Sequence, residues 1–288
     1  MKVIRPKLSG FCPGVKFAEK KILERRNLSD TPIFVLGQLI HNSRYIRRLQ
    51  EKGIDSVDTT QNLPSNSKIV IRTHGIDKNI ESKIKKQFEI IDLTCTKVKN
   101  LQLFIQKHSD LEYFIIICGK KNHPEVLGLV SYAENFEVIE KREDLSLQAL
   151  RERLSEKDYR GVMVISQTTG DYGLFKWVSD TLKEGLDNTL IETHNSICPV
   201  THNKEEDALR LQKQAEITFV VGDKKSSNAN KLYQILKKNS PDVYFVEDWD
   251  ELSGLGLNLG EYKTALVVAS ASTPFFVERE IIASLEQI

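Results

Sequence analysis

The sequence predicts an α/β protein built on parallel sheets, and three observations carry this prediction. Runs rich in Ile and Val open segments such as 113–126 and 161–171 without polar alternation, which is typical of strands buried on both faces. A loop of small and polar residues follows each run, and stretches with helical spacing come next. This repeated order indicates β-α units around parallel sheets.

The predicted elements follow one another along the chain. A helix over 42–52 ends at Gly53, a residue suited to the left-handed conformation at a helix C-terminus. The strand-and-loop segments are, in order, 33–42, 69–75, 89–96, 113–126, 161–171, 217–230 and 265–274, of which the first and third have the weakest pattern. Helically spaced apolar residues follow three of them: Ile80, Ile84 and Phe88; Leu232, Ile235 and Leu236; and Val277, Ile281 and Leu285.

We predict three similar α/β domains. Three of the four cysteines, Cys12, Cys95 and Cys198, fall roughly one per third of the chain, although no residue-by-residue repeat accompanies this spacing. The predicted domains are 1–95 with Cys12 and Cys95, 96–194 with His123, Glu125 and Thr168, and 195–288 with Cys198 and the loop "SSN".

The composition excludes several classes of partner. The 41 Lys and Arg residues balance 40 Asp and Glu residues, so no general positive field indicates nucleic acid or an anionic membrane. The N-terminus has too short an apolar run for a signal peptide, and no segment has the roughly 18 apolar residues of a membrane span. We therefore expect a cytoplasmic protein that binds neither nucleic acid nor membrane.

The cysteines are too few and too scattered for a secreted disulfide scaffold. Each one taken singly fits a small buried side chain, and Cys118, at the end of the run "YFIIIC", keeps that interpretation. Cys12 lies between glycines, Cys95 lies in the polar stretch "LTCTK" after an apolar run, and Cys198 lies in "SICPV" next to a proline. Because no two cysteines are closely paired as in structural zinc sites, three distant thiolates suit an iron-sulfur cluster better. A missing fourth ligand would leave one iron open to substrate.

Other polar residues collect in the predicted strand-end loops, where ligands of α/β proteins bind. His41, His74 and His123 all stand there, and Glu125 follows His123 and Pro124. In a closed pocket the pKa of such a carboxyl group would rise, which would suit a proton donor near neutral pH. The loop "DKKSSNAN" offers hydroxyl and amide groups at a predicted helix start, which suits an anion or, equally, a simple helix cap.

The chain resembles a known enzyme family. The segments "GFCPGV", "IHN", "THG", "LTCTKV", "HPEV", "QTT", "ICPVT", "VGDKKSSNANKL" and "SASTP", in this order, are similar to those of the IspH/LytB family of 4-hydroxy-3-methylbut-2-enyl diphosphate reductases. The similarity runs from about residue 3 to 286. Each segment alone is a weak signal, whereas nine such segments in the same order and with the same spacing are specific to the family.

The resemblance implies a fold, a cofactor and a reaction. The fold would be a pseudo-threefold cloverleaf of α/β domains around a central [4Fe-4S] cluster, with an open iron for the substrate hydroxyl. The reaction would remove an allylic hydroxyl with two electrons and two protons, giving isopentenyl and dimethylallyl diphosphates, with ferredoxin or flavodoxin as electron donor. The implied residues are Cys12, Cys95 and Cys198 as cluster ligands; His41, His74, Ser226, Ser227, Asn228 and Ser272 on the diphosphate; and His123, Glu125 and Thr168 for positioning the hydroxyl and relaying protons.

The chain departs from the family pattern at positions next to these residues, and two alternatives follow. Thr96 replaces a proline, Ser270 replaces a glycine, and Val200, Lys204 and Glu205 differ after Cys198. A divergent paralogue with the same cluster and another substrate is the first alternative. The second is a non-redox module that binds a diphosphate and whose thiols are structural or hold zinc.

Overall fold

The computed structural model describes residues Met1–Ile288 and contains three four-stranded sheets. The strand orders are β1-β12-β10-β11, β3-β2-β4-β5 and β7-β6-β8-β9. The strands are β1 (Lys2–Ile4), β2 (Ile33–Leu36), β3 (Ile54–Val57), β4 (Lys68–Ile71), β5 (Glu89–Asp92), β6 (Tyr113–Cys118), β7 (Phe136–Ile139), β8 (Gly161–Ser166), β9 (Ile191–His194), β10 (Ile217–Val221), β11 (Val243–Val246) and β12 (Thr264–Ala269). The prediction of three similar α/β domains on parallel sheets is confirmed.

Ten α-helices lie between strands, and an eleventh follows the last strand. They are α1 (Pro13–Leu28), α2 (Ser43–Gln50), α3 (Lys78–Lys85), α4 (Thr96–Asp110), α5 (Pro124–Val130), α6 (Leu147–Ser155), α7 (Tyr172–Gly185), α8 (Pro199–Gln212), α9 (Ser227–Lys237), α10 (Trp249–Ser253) and α11 (Phe275–Glu286). The helix predicted over 42–52 is α2, and Gly53 beyond it has the expected positive φ of 71°. None of the helices is long and apolar enough to cross a membrane.

The core lies on both faces of the sheets, as the apolar runs predict. In β6 the side chains of Phe114 and Ile116 pack on one face, while Ile115 and Ile117 pack on the other. The sheet around β10 and β12 has the same two-faced core. Complete burial on both faces explains why these strands carry no polar alternation.

The prediction of a helical face formed by Ile80, Ile84 and Phe88 was partly wrong. Ile84 of α3 is buried, but Ile80 is 47% exposed and Phe88 lies beyond the end of the helix. The short α3 therefore buries a narrower face than the spacing of these three residues suggests. The pattern in α11 is confirmed, because Val277 and Ile281 are fully buried.

The chain forms two compact units. Met1–Lys68 and Pro199–Ile288 make the first unit, and Ile69–Cys198 make the second. The strand β1 pairs with β12, so the first residues of the chain complete a sheet formed by its last segment. Of the three loop cysteines, Cys12 belongs to the first unit, whereas Cys95 and Cys198 belong to the second.

Candidate active site

A buried carboxyl group lies where β6 and β8 end, in the second unit. Glu125, at the start of α5, is 1% exposed. Its Oε1 atom accepts a hydrogen bond of 2.6 Å from the Thr168 backbone N–H, and its Oε2 atom accepts one of 2.7 Å from Thr168 Oγ1. Burial raises the pKa of Glu125 from 4.5 to about 7, although the two bonds from Thr168 oppose the shift. This carboxyl group can therefore hold a proton near neutral pH.

One histidine is bonded to the Glu125 backbone, and a second histidine packs against the first. His123 caps α5, and its Nδ1 atom accepts a hydrogen bond of 3.1 Å from the Glu125 backbone N–H. Because Nδ1 is an acceptor, the proton of the neutral ring lies on Nε2. The ring of His74 meets that of His123 edge to face, with centroids 5.4 Å apart and an interplanar angle of 90°. We call His123, Glu125 and Thr168 the carboxyl rim.

Hydrogen bonds connect the carboxyl rim to the Cys198 loop, and the His74 loop to the Cys95 loop. The backbone N–H of Cys198 donates to the Thr168 carbonyl oxygen at 2.8 Å, so one residue holds both the Glu125 carboxylate and the Cys198 loop. The N–H of Cys95 donates to the carbonyl oxygen of Thr73 at 3.0 Å, directly before His74. In the second unit the structure thus brings together the predicted residues of five separate loops, which are those of His74, Cys95, His123, Thr168 and Cys198.

A second group of polar side chains lies where β10 and β12 end, in the first unit. Ser226 caps α9, and its Oγ atom lies 3.2 Å from Oγ of Ser272. Asn228 is buried, and its Oδ1 atom accepts a hydrogen bond of 2.9 Å from the Ala271 backbone N–H. Since the amide oxygen is occupied in this way, the amide NH2 is the donor that remains for a ligand. We call Ser226, Asn228 and Ser272 the hydroxyl rim.

The Cys12 loop lies against the end of β12 in the same unit. The N–H of Cys12 donates to the Ala271 carbonyl oxygen at 3.2 Å, and the N–H of Gly10 donates to that of Ala269 at 3.2 Å. Gly10 has a φ of 68°, a left-handed conformation that favours glycine. The glycine before Cys12 therefore serves a backbone turn.

The four cysteines fall into two classes, as the sequence predicts. Cys118 is 1% exposed, and burial raises the pKa of its thiol to about 12. Cys12, Cys95 and Cys198 are partly exposed, and each directly precedes a helix, namely α1, α4 and α8. Three partly exposed thiols are the type and number of ligands that a cluster with three cysteine ligands requires. No three His, Cys, Asp or Glu side chains form a group that could hold a single metal ion.

The remaining predicted residues, His41 and Ser227, lie just before or at the start of a helix. His41 lies in the turn between β2 and α2, beside Asn42, whose side chain caps α2 by accepting from the Tyr45 N–H. Ser227 is the first residue of α9 and is partly exposed. Their roles on a diphosphate stay predictions.

Two structural residues near the site were not predicted. Ser196 Oγ accepts a hydrogen bond of 2.8 Å from the Ser166 N–H and donates to the Ser166 carbonyl, which holds the segment before Cys198 at the end of β8. Lys204 of α8 is 2% exposed, although lysine is rarely buried. No local pattern distinguishes either residue from a surface Ser or Lys.

Named relatives align with almost the whole chain. A 4-hydroxy-3-methylbut-2-enyl diphosphate reductase of Clostridioides difficile is 31% identical over 283 residues, which is 98% of this chain and 98% of that protein. A protein of the same name from a Nitratiruptor species is 35% identical over 290 residues, covering 100% and 99% of the two chains.

Solved structures and a family profile agree with these relatives. The structure of an (E)-4-hydroxy-3-methyl-but-2-enyl diphosphate reductase, titled the terminal enzyme of the non-mevalonate pathway, superposes over all of both chains with a TM-score of 0.74 and 27% identity. A Plasmodium falciparum reductase shares the fold, with a TM-score of 0.84 at 24% identity over 98% of this chain and 87% of that one. The profile of the LytB protein family matches residues 3–286. The chain therefore belongs to the LytB family.

Proposed function

We propose that this protein reduces 4-hydroxy-3-methylbut-2-enyl diphosphate to isopentenyl and dimethylallyl diphosphates. One observation carries the proposal beyond family membership. The protonatable carboxyl group of Glu125 is bonded through Thr168 to the loop of Cys198, in a chain whose relatives bear the name of this reductase. Hydroxide is a poor leaving group, so removal of a hydroxyl group needs an acid that protonates the leaving oxygen. Glu125, buried beside the loop of Cys198, is such an acid.

The cofactor in this proposal is a [4Fe-4S] cluster held by Cys12, Cys95 and Cys198. These three thiols are partly exposed, whereas the fourth, Cys118, is buried in β6 and takes no part. When bound, the cluster would supply electrons and a Lewis-acidic iron for the substrate oxygen. The three domains of the proposal are 1–95, 96–194 and 195–288.

The protein's own proton donor is Glu125. Below a pH of about 7 its carboxyl group is largely protonated and donates toward the leaving hydroxyl, which departs as water when the allylic C–O bond breaks. Two electrons and two protons are consumed, one proton leaving in that water and the other ending on carbon. Thr168 Oγ1 and the Nε2–H of His123 orient the hydroxyl.

The diphosphate binds at the hydroxyl rim together with Ser227, His41 and His74. The start of α9 provides N–H groups and a positive dipole end, and the amide NH2 of Asn228 adds a donor. These groups neutralise the anion without an arginine clamp. Fixing the diphosphate holds the reacting carbon in place, because binding energy from a remote group offsets the entropy of positioning.

The electrons come from a small carrier protein, ferredoxin or flavodoxin, in the cytoplasm. Because acidic and basic residues nearly balance, the protein has no strong overall charge to attract this carrier. A local surface therefore recognises it.

The proposal is tested by exchanging one thiol at a time. Protein purified and reconstituted without oxygen is analysed for iron and sulfide, and turnover of the authentic diphosphate is followed with a chemically reduced viologen as donor. The variants Cys12→Ser, Cys95→Ser and Cys198→Ser should lose the cluster and the activity. The matched control Cys118→Ala should keep both, because this thiol is enclosed in the sheet core.

Three outcomes would contradict parts of the proposal. Zinc without iron and sulfide would favour the non-redox module. A loaded protein without turnover would favour a paralogue with another substrate. Cluster loss in Cys118→Ala but not in Cys12→Ser would overturn the ligand set.

A further inference from the structure

Lys204 is a buried cation that the proposed reaction does not use. Its ammonium group donates to the Gly10 carbonyl oxygen at 2.6 Å and lies 3.3 Å from that of Ala269. The Ala269 oxygen also accepts the N–H of Gly10. Lys204 therefore joins the end of β12 to the backbone of the loop that carries Cys12, and it does so from α8, 194 residues away in sequence.

A buried carboxylate lies against the same turn. Glu278 of α11 is 1% exposed, and its Oε2 atom lies 3.3 Å from the point that a Cβ atom on Gly10 would occupy. Its Oε1 atom has no hydrogen-bond partner. Two opposite charges thus face the turn at Gly10, two residues before Cys12.

Electrostatics connect these charges to the thiol. Burial lowers the pKa of Lys204 to about 8, and attraction to Cys12 and to Glu278 opposes this shift, while Lys16 adds to it. The ammonium form still prevails at neutral pH. In surroundings of low dielectric constant, a charge at this place acts on Cys12 and on whatever Cys12 binds.

We propose that Lys204 is a positioning residue that anchors the Cys12 loop and raises the reduction potential of the cluster, while Glu278 lowers that potential. The inference rests on the proposed function, since it requires a cluster at Cys12. Reduction adds one electron, and hence one negative charge, to the cluster. A buried cation stabilises that reduced state and a buried carboxylate destabilises it.

The test is a redox titration of the reconstituted full-length protein, with dithionite as reductant and the spectrum of the reduced cluster as readout. In Lys204→Gln the one-electron equilibrium should shift about tenfold toward the oxidised cluster, which corresponds to ~59 mV. In Glu278→Gln it should shift in the opposite direction. Lys204→Arg keeps the charge and should stay within about threefold of the wild type, or ~28 mV.

Lys20→Gln is the matched control. It removes one positive charge from the exposed face of α1, the helix that begins directly after Cys12. We expect the reduction potential of the cluster in Lys20→Gln to equal that of the wild type, because water screens a charge on an exposed side chain.

Opposite shifts in Lys204→Gln and Glu278→Gln are the signature of charge, since loosened packing would not reverse its sign. Shifts in the same direction, or no shift in either, would overturn the inference. If Lys204→Gln fails to fold or to hold the cluster, the direction of the shift in Glu278→Gln decides alone. A wild-type protein that holds no cluster would overturn the proposed function, and this inference with it.

Discussion

The carboxyl rim and the hydroxyl rim are built by the same strand, loop and helix order but have opposite electrostatic character. In the carboxyl rim an ionisable group is buried with only Thr168 as its partner, so its proton is retained near pH 7. In the hydroxyl rim, hydroxyl groups and one amide surround the start of a helix. The first arrangement suits proton transfer and the second suits an anion. The shared order of strand, loop and helix does not determine the chemistry of either rim. The side chains of the loops determine it.

The largest expected effect is in the carboxyl rim. Glu125→Gln removes the proposed proton donor and keeps the shape of the side chain, so kcat should fall by roughly 100- to 10,000-fold with KM changed much less. Steady-state kinetics on reconstituted protein measure both. The control Glu143→Gln changes an exposed carboxylate of the same unit and should leave kcat unchanged. A Glu125→Gln enzyme with wild-type kcat would remove Glu125 from the mechanism.

The second prediction concerns stability and pH. Because burial raises the pKa of Glu125 from 4.5 to about 7, the folded chain holds this proton more tightly than the unfolded chain. The resulting stability is present below pH 4.5 and is lost as pH rises through about 7, and it amounts to about 3 kcal/mol at most.

Chemical unfolding at about pH 5 and about pH 8 measures this loss. Glu125→Gln cannot titrate at this position, so its free energy of unfolding should depend less on pH than that of the wild type. Equal pH dependence in the two proteins would show that Glu125 is not protonated by burial.

The third prediction places the opposite kinetic signature in the hydroxyl rim. Ser226→Ala removes one hydroxyl from the proposed anion site, and a hydrogen bond to a charged group contributes about 1.5 kcal/mol or more, so KM should rise roughly tenfold while kcat changes little. The variant also loses a helix cap. Ser146→Ala is the matched control, because Ser146 caps α6 with the same 3.3 Å bond length that Ser226 has in α9.

Both variants should lose similar stability, about 1 kcal/mol, in thermal unfolding. Only Ser226→Ala should raise KM. A similar KM in both would mean that Ser226 is a cap and nothing more.

The smallest effect should separate the two hydrogen bonds that Thr168 makes to Glu125. The side-chain bond lowers the pKa of Glu125, so Thr168→Val should raise this pKa and move the alkaline fall of kcat to higher pH. Thr168→Ser keeps the hydroxyl group and should keep the wild-type profile. The measurement is a profile of kcat against pH for the three proteins. If the alkaline fall of kcat in Thr168→Val stays at the wild-type pH or moves to lower pH, the prediction is wrong.

The position of a strand in its sheet determined how well the sequence predicted it. The six central strands, β2, β4, β6, β8, β10 and β12, all lie in predicted segments, because burial on both faces requires uninterrupted apolar runs. The strands without a predicted counterpart, β1, β3, β7, β9 and β11, are all edge strands. These edge strands are partly exposed, so they leave no comparable apolar run, although the edge strand β5 does lie in a predicted segment.

The sequence by itself determined the α/β class, the strand-end loops that carry the polar residues, and the division of the thiols into one core cysteine and three loop cysteines. Only the tertiary structure decided that Glu125 meets Thr168, 43 residues away, and that Lys204 is enclosed against Gly10. The reason is physical: local pattern reports which face of an element is apolar, but the protonation and charge of a side chain depend on desolvation by groups distant in sequence.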